Sequence, residues 1–282
     1  MKKELKGPLI LSVSMVSFAA MTALAKIAGD EVPAIEIVFF RGLIGLPIVL
    51  AFVKKSGSTL RGNRLDLLIF RGISGTTSLI MFFYAVTQIP VADAILLNQS
   101  TPIFVLPLAA IFLGEIITRK HVLLVITAIV GVAMVIKPGA DIVNIPGLIA
   151  FVSALFAAIA YVLVRKLAQS DHPSTIVFWF TLITTVTSAP LAMPGFVVPR
   201  IEIFVAIIGV GVFATAGQLL MTLAYRHAEA GRLSVFGSMG AVFGAGIDFL
   251  LWDHIPDIWT VVGGLTVITC CTMIQMLRRP VA

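Results

Sequence analysis

The sequence predicts an all-α integral membrane protein of ten transmembrane helices, arranged as two inverted five-helix repeats. Three observations lead there. The 282 residues are 59% hydrophobic and only 12% charged, with a mean hydropathy of +1.07, whereas globular chains carry roughly a quarter charged residues. The basic residues are distributed asymmetrically between alternate gaps in the apolar pattern, and the two halves of the chain resemble each other. So few charges cannot cover a water-facing surface, and so much apolar side chain excludes polar disorder.

Apolar runs bounded by charged or Pro/Gly breaks mark the helices in order. In the first half they are Gly7–Ile27, Ala34–Val53, Leu65–Gln88, Val91–Leu113 and His121–Ile136. In the second they are Ile145–Ala168, Ser174–Met193, Ile201–Tyr225, Gly231–Leu251 and Ile258–Leu277. Each is long enough for a hydrocarbon core of about 30 Å, the fifth only just. The tightest breaks are Gln88–Val91 and Tyr225–Gly231, and the longest gap, Lys54–Arg64, is a loop.

The twenty Lys and Arg test this count. Fifteen fall in the gaps that face one side, namely Lys2, Lys3, Lys6, Lys54, Lys55, Arg61, Arg64, Arg119, Lys120, Arg165, Lys166, Arg226, Arg232, Arg278 and Arg279. Lys26, Lys137 and Arg200 fall on the other side, and Arg41 and Arg71 lie within helices. Basic loops stay in the cytoplasm, so both termini are expected there, in a multi-pass protein of the cytoplasmic (inner) membrane. The net charge of +6 is then topological, and no nucleic-acid partner is needed to explain it.

A shift of 140 residues places Gly7 on Gly147, Lys26 on Lys166 and Pro33 on Pro173; a shift of 139 places Ala85 on Ala224 and Phe104 on Phe243. Lys2–Lys6 followed by an apolar run and Ala23-Leu24-Ala25 imitates a secretory signal peptide. A cleaved signal would have no reason to mirror the sixth helix. With five spans per half the second copy lies upside down, and inverted repeats of this kind build secondary transporters with a midplane substrate site. The repeats are expected at 8–137 and 145–277.

Several motifs support a family resemblance. Phe40-Arg41-Gly42 with Pro47, Arg71-Gly72, Phe83-Tyr84-Ala85, Pro90-Val91-Ala92-Asp93-Ala94, Pro102, Pro107, Leu113-Gly114-Glu115 and Gly131 follow one another through the first half. The chain resembles the EamA-domain exporters of the drug/metabolite transporter superfamily over about residues 8–277. The resemblance implies ten helices around a central cavity, alternating access, and export of metabolites, amino acids or toxic compounds. Where the family often repeats Gly-Glu after helix nine, this chain has Asp253-His254, so a charge-based gate does not carry over to the second half.

Ionisable groups inside a bilayer are costly and mark functional candidates. Arg41 sits within about 4 Å of the middle of its helix. It can clamp a carboxylate or phosphate through a bidentate fork, or pair structurally with Glu36 or a carbonyl freed by a proline. Arg71 begins a small, polar helix face with Ser74, Gly75, Ser78 and Phe82, which suits close packing or a cavity wall. Asn98, Gln99 and Thr101 cluster beside Pro102, which frees a backbone carbonyl within helix four. Thr215 and Gln218 begin a polar stripe on helix eight, Tyr84 and Trp179 are aromatic candidates for stacking, and Ser238 stands in glycine-rich helix nine. The substrate-binding candidates are therefore Arg41, Arg71, Tyr84, Asn98, Gln99, Trp179, Gln218 and Ser238. The gating or coupling candidates are Glu36 and Asp248, membrane acids towards the outer side, and Glu115 beside Arg119.

The function expected is secondary transport, by alternating access, of a small polar metabolite bearing a carboxylate, such as an amino acid, most naturally outward. The partners are the lipid bilayer, that substrate, and a proton or exchange substrate for coupling. Import or exchange of nucleosides or organic anions is the alternative within this class. An integral-membrane lipid-modifying enzyme is the alternative outside it, with Asp253, His254 and Asp257 as its only acidic-histidine cluster. No Walker motif is present. No Cys/His set has metal-ligand spacing, Cys270 and Cys271 being adjacent, and no cofactor or metal is expected. Oligomeric state is left open between monomer and homodimer, since Gly240-x-x-x-Gly244 serves contacts within or between copies. A topology reporter fused after Ala282 should read cytoplasmic; a periplasmic signal there would overturn the ten-span count.

Overall fold

The computed structural model describes residues 3–113, 117–136, 144–167, 169–227, 236–237 and 239–277. These residues form eleven α-helices: α1 Lys3–Ala28, α2 Ala34–Ser56, α3 Leu65–Gln88, α4 Val91–Asn98, α5 Thr101–Leu113, α6 Arg119–Ile136, α7 Ile145–Leu167, α8 Pro173–Ala192, α9 Ile201–His227, α10 Met239–Trp252 and α11 Ile258–Leu277. Helix is the form available to these runs, because a single chain segment in lipid must satisfy every backbone N–H and C=O internally. Counting α4 and α5 as one span, nine described segments are long and apolar enough to cross a membrane, and α10 is a shorter apolar helix. The start expected for this helix, Gly231, lies outside the described residues.

One expected helix is broken. Val91–Leu113 divides at Gln99–Ser100 into α4 and α5. Pro102 has no N–H to offer the Asn98 carbonyl, and its ring crowds that carbonyl. The Thr101 hydroxyl takes over, donating to Asn98 O at 2.6 Å. Pro102 then occupies the first turn of α5, where a helix needs no donor. At the far end of α2, Gly57 adopts φ 66° and returns its N–H to Lys54 O, a left-handed cap that glycine adopts without strain.

The extensive helix pairings run between the halves. α1 packs on α9 and α3 on α7, α2 on α8, and α6 on α11, with α3 on α8 and α2 on α9 completing the centre. Exchanging the halves returns the same set of pairs, which is the signature of the inverted repeat. It holds at the level of atoms. Ser14 Oγ donates to Gly217 O at 2.7 Å, and Ser78 Oγ donates to Ser153 O at 2.8 Å. Ser14 and Ser153 stand 139 residues apart, as do Ser78 and Gly217, so the two bonds join equivalent positions with donor and acceptor exchanged.

Small residues set these distances, since apolar burial gives little drive to associate helices in lipid. Where α6 crosses α11, a Cβ on Gly131 would meet Gly263 O at 2.8 Å, and a Cβ on Gly263 would meet Gly131 O at 2.6 Å. Val122, Leu123, Ile126, Ile129 and Val130 of α6 stay exposed, an apolar surface suited to acyl chains. Replacing Gly263 with Val should force these backbones apart and destabilise the fold by about 1–3 kcal/mol. The expected readout is a clear drop in melting temperature in detergent, against little change for Gly246→Ala, whose Cβ meets nothing.

Candidate functional site

Two arginines converge at the centre of the interface between the halves. Arg41 of α2 and Arg71 of α3 are 7% and 6% exposed. Both lie over one ring: the Arg41 Cζ is 5.6 Å from the centroid of Phe180 in α8, and the Arg71 Cζ 3.7 Å. Phe180 reaches this position because α3 is bare where α8 crosses it. A Cβ on Gly75 would come within 2.8 Å of Phe180 Cε2, and one on Gly72 within 2.5 Å of Ile183 Cδ1. The small-residue face of α3 thus serves packing, and the packing builds the site.

Neither guanidinium finds an acceptor among the described residues. Arg41 Nε, Arg71 Nε and Arg71 Nη1 are buried without a hydrogen bond. The pairing of Arg41 with Glu36 does not occur. Glu36 points to the other end of α2, where its Oε1 accepts from Val197 N at 3.1 Å. Arg41 instead borders a cavity of about 10 Å³ with Val49, Val177, Thr181, Ala214, Thr215 and Gln218, room for about one water. The Thr181 and Thr215 hydroxyls donate to Val177 O and Gly211 O in their own helices, leaving only oxygen lone pairs to turn towards a cation.

Of the expected site residues, Arg41, Arg71 and Gln218 are thus gathered on this interface. Asn98 joins them indirectly: its Nδ2 donates to Ser153 Oγ at 2.8 Å, and Ser153 O accepts from Ser78, two turns along the Arg71 face of α3. Gln99 turns to the second half, donating to Gly237 O at 3.2 Å. Tyr84 is 41% exposed on the outward stripe of α3 with Ile69, Ile73 and Phe70, away from the arginines. Trp179 faces the α2–α3 loop, its Nε1 donating to Leu60 O at 3.0 Å. Ser238 and Glu115 lie outside the described residues.

Asp248 is fully buried, and both its oxygens cap the start of α4: Oδ1 accepts from Val91 N at 3.0 Å and Oδ2 from Ala92 N at 2.8 Å. Lys26 stands beside it, donating to Ile89 O at 2.8 Å and lying 5.0 Å from the Trp252 ring. The Asp253–Asp257 turn closes α10 and opens α11. Asp253 takes φ 55° with its N–H on Phe249 O, and Asp257 Oδ1 accepts from Thr260 N.

The loops at both ends of the α2–α8 pair are tied across the halves. At one end Asn63 N donates to Asp171 Oδ1 at 2.6 Å, Asn63 Nδ2 to Ser170 O, and Thr175 Oγ1 to Thr59 O. At the other, Arg200 pairs with Glu31, and position 31 is the repeat mate of position 171. Sequence reading missed Phe180, Lys26 and these ties. The two acids, 140 residues apart, were the one visible signal.

The EamA-like transporter family model matches residues 5–137 and 145–276. The pseudopaline exporter of Pseudomonas aeruginosa is 34% identical over 275 residues, covering 97% of each chain. A riboflavin transporter of Brucella anthropi is 25% identical, covering 86% of this chain and 88% of its own. An S-adenosylmethionine uptake transporter of Rickettsia bellii is also 25% identical, over 91% and 88%. One solved structure superposes with a TM-score of 0.65 at 18% identity, covering 96% of this chain and 99% of its own, a likeness of fold.

The geometry gives Asp248 a structural task. Asp248→Ala should strand two buried N–H groups, at about 1–3 kcal/mol each, and lower the melting temperature in detergent, with Asp248→Asn intermediate. Wild-type melting together with lost transport would instead assign Asp248 to coupling.

Proposed function

The chain belongs to the EamA-like transporter family, and from that premise we propose that it carries a small carboxylate-bearing metabolite, such as an amino acid, out across the cytoplasmic membrane. One observation carries this reading. Arg41 is a buried cation whose Nε has no acceptor among the described residues, bordering a crevice that α2 of the first half shares with α8 and α9 of the second. A guanidinium in an apolar interior is costly, and a carboxylate supplied by the substrate offsets that cost through a bidentate pair. Inverted-repeat carriers hold their substrates at such an interface. The outward direction draws support from the relative named as an exporter at 34% identity over nearly the full length.

The narrow crevice suits alternating access. A space of about 10 Å³ admits no metabolite, so substrate enters and leaves only when the halves move. The Asn63–Asp171 tie and the Arg200–Glu31 pair sit at opposite ends of that path. On this reading each opens in turn while the other holds. Gln218 lines the same crevice and orients the substrate, and Arg71 supplies the second cation. Asn98 and Gln99 brace the break between α4 and α5, a discontinuity near the site that lets the span bend as the halves rock.

Proteoliposomes loaded with unlabelled amino acids or other carboxylates should show counterflow of a labelled member of one pool. Arg41→Ala should reduce that flux at least about tenfold, since a lost charge-assisted pair removes roughly 1.5–3 kcal/mol. Full flux in folded Arg41→Ala would remove Arg41 from the site. Silence across all carboxylate pools from folded wild type would overturn the substrate class.

A further inference from the structure

Resting on that reading, we infer that the substrate of this site is a dicarboxylate, of which Arg41 and Arg71 each take one carboxylate. The argument begins with two like charges in one small volume. Both guanidinium groups lie against the same Phe180 ring, 5.6 Å and 3.7 Å from its centroid, and both are more than nine-tenths buried. Close cations in a medium of low dielectric repel each other, and the face of one phenylalanine repays only a small part of that cost.

No ion pair joins either of them to a carboxylate among the described residues. Glu36 is turned to Val197 N, Asp248 is spent on Val91 N and Ala92 N, and Asp171 is held at the loops by Asn63 N and Ser170 Oγ. The polar groups placed beside the arginines are neutral: Thr181 on α8 and Thr215 and Gln218 on α9 border the Arg41 cavity, and the Tyr161 phenol of α7 interacts with Arg71, with Ser74 and Thr76 buried on the same helix as Arg71. Most of their hydroxyl protons point back to helix carbonyls. A monocarboxylate bound here would leave one buried guanidinium without a counter-charge. A dicarboxylate neutralises both, and each planar fork can take one carboxylate edge-on while its face rests on the ring. Phe180 then acts as the spacer that holds the two forks at fixed separation, which gives the site a preferred distance between carboxylates.

The test compares acids with their own amides, which differ in charge but hardly in size. Purified full-length protein is titrated with glutamate against glutamine, aspartate against asparagine, and succinate against succinamate, with binding read from thermal shift and from competition for counterflow. In wild type at least one acid should bind at least about tenfold tighter than its amide. Arg71→Gln should erase that preference while leaving the weaker binding of the amide through Arg41, and Arg71→Lys should restore part of it. Wild type alone decides the matter if the variants fail to fold. Amides that bind as well as every acid would overturn the dicarboxylate and leave the carboxylate carrier standing. Failure of every carboxylate, single or double, to bind or move would overturn both.

Discussion

A helix that stops inside a membrane has to replace its own hydrogen bonds, because no water is there to do it. Much of the polar chemistry in this protein answers that one requirement. The α4–α5 span begins and breaks within the protein interior. Asp248 of the opposite half supplies two acceptors to its first N–H groups, and Thr101 supplies a donor to the carbonyl that Pro102 abandons. Asn98 anchors the break to Ser153, and Ser153 is tied to α3 by Ser78. The substitutes come mainly from the other half of the chain, so the same bonds that satisfy the backbone also hold the two halves in register.

The two arginines stand outside this economy. Most buried polar contacts described above close on a protein partner, whereas the cations at the centre face neutral groups and a phenyl ring. Their position is imposed from below. Gly72 and Gly75 let α8 approach α3, and Gly42 and Gly45 admit Thr185 and Thr215 against α2. Close packing carries Phe180 against both charged side chains, so their low-dielectric surroundings follow from the spacing of glycines.

The fold was largely legible in the sequence because the bilayer leaves few alternatives to an apolar run of about 20 residues. Helix limits fell within a few residues of the runs, as Leu65–Gln88 and Ile258–Leu277 show. The division of Val91–Leu113 is a different matter: Pro102 announced a freed carbonyl, but whether a helix bends or breaks there depends on Thr101 and on Ser153 from another helix. At the site, Arg41, Arg71 and Gln218 could be picked out because a charge or amide within an apolar run is conspicuous. Trp179 is an aromatic candidate by residue type, yet its neighbour Phe180 lies a turn of about 100° around the helix. That turn sends Trp179 to the Leu60 loop and Phe180 to the arginines. Tyr84 stands on the exposed stripe of α3 for a related reason, since hydropathy does not say which side of an all-apolar helix meets lipid. The capping contacts of Asp248 were not legible in the sequence, because its partners are main-chain N–H groups 156 and 157 residues away.

The pairing of helices across the halves has a consequence for ancestry. α1 spends its contact surface on α9, α3 on α7, α2 on α8 and α6 on α11, so five helices alone would leave their main faces bare. A single-repeat ancestor of this architecture is therefore an antiparallel pair of identical chains, inserted in both orientations in one membrane. Fusing two copies relieves that ancestor of making both orientations, and it frees each copy to change on its own. The chain still records both states. Ser14 and Ser153 keep equivalent places on the seam with donor and acceptor exchanged, while Arg41, Arg71 and the Asp248 cap exist on one side only.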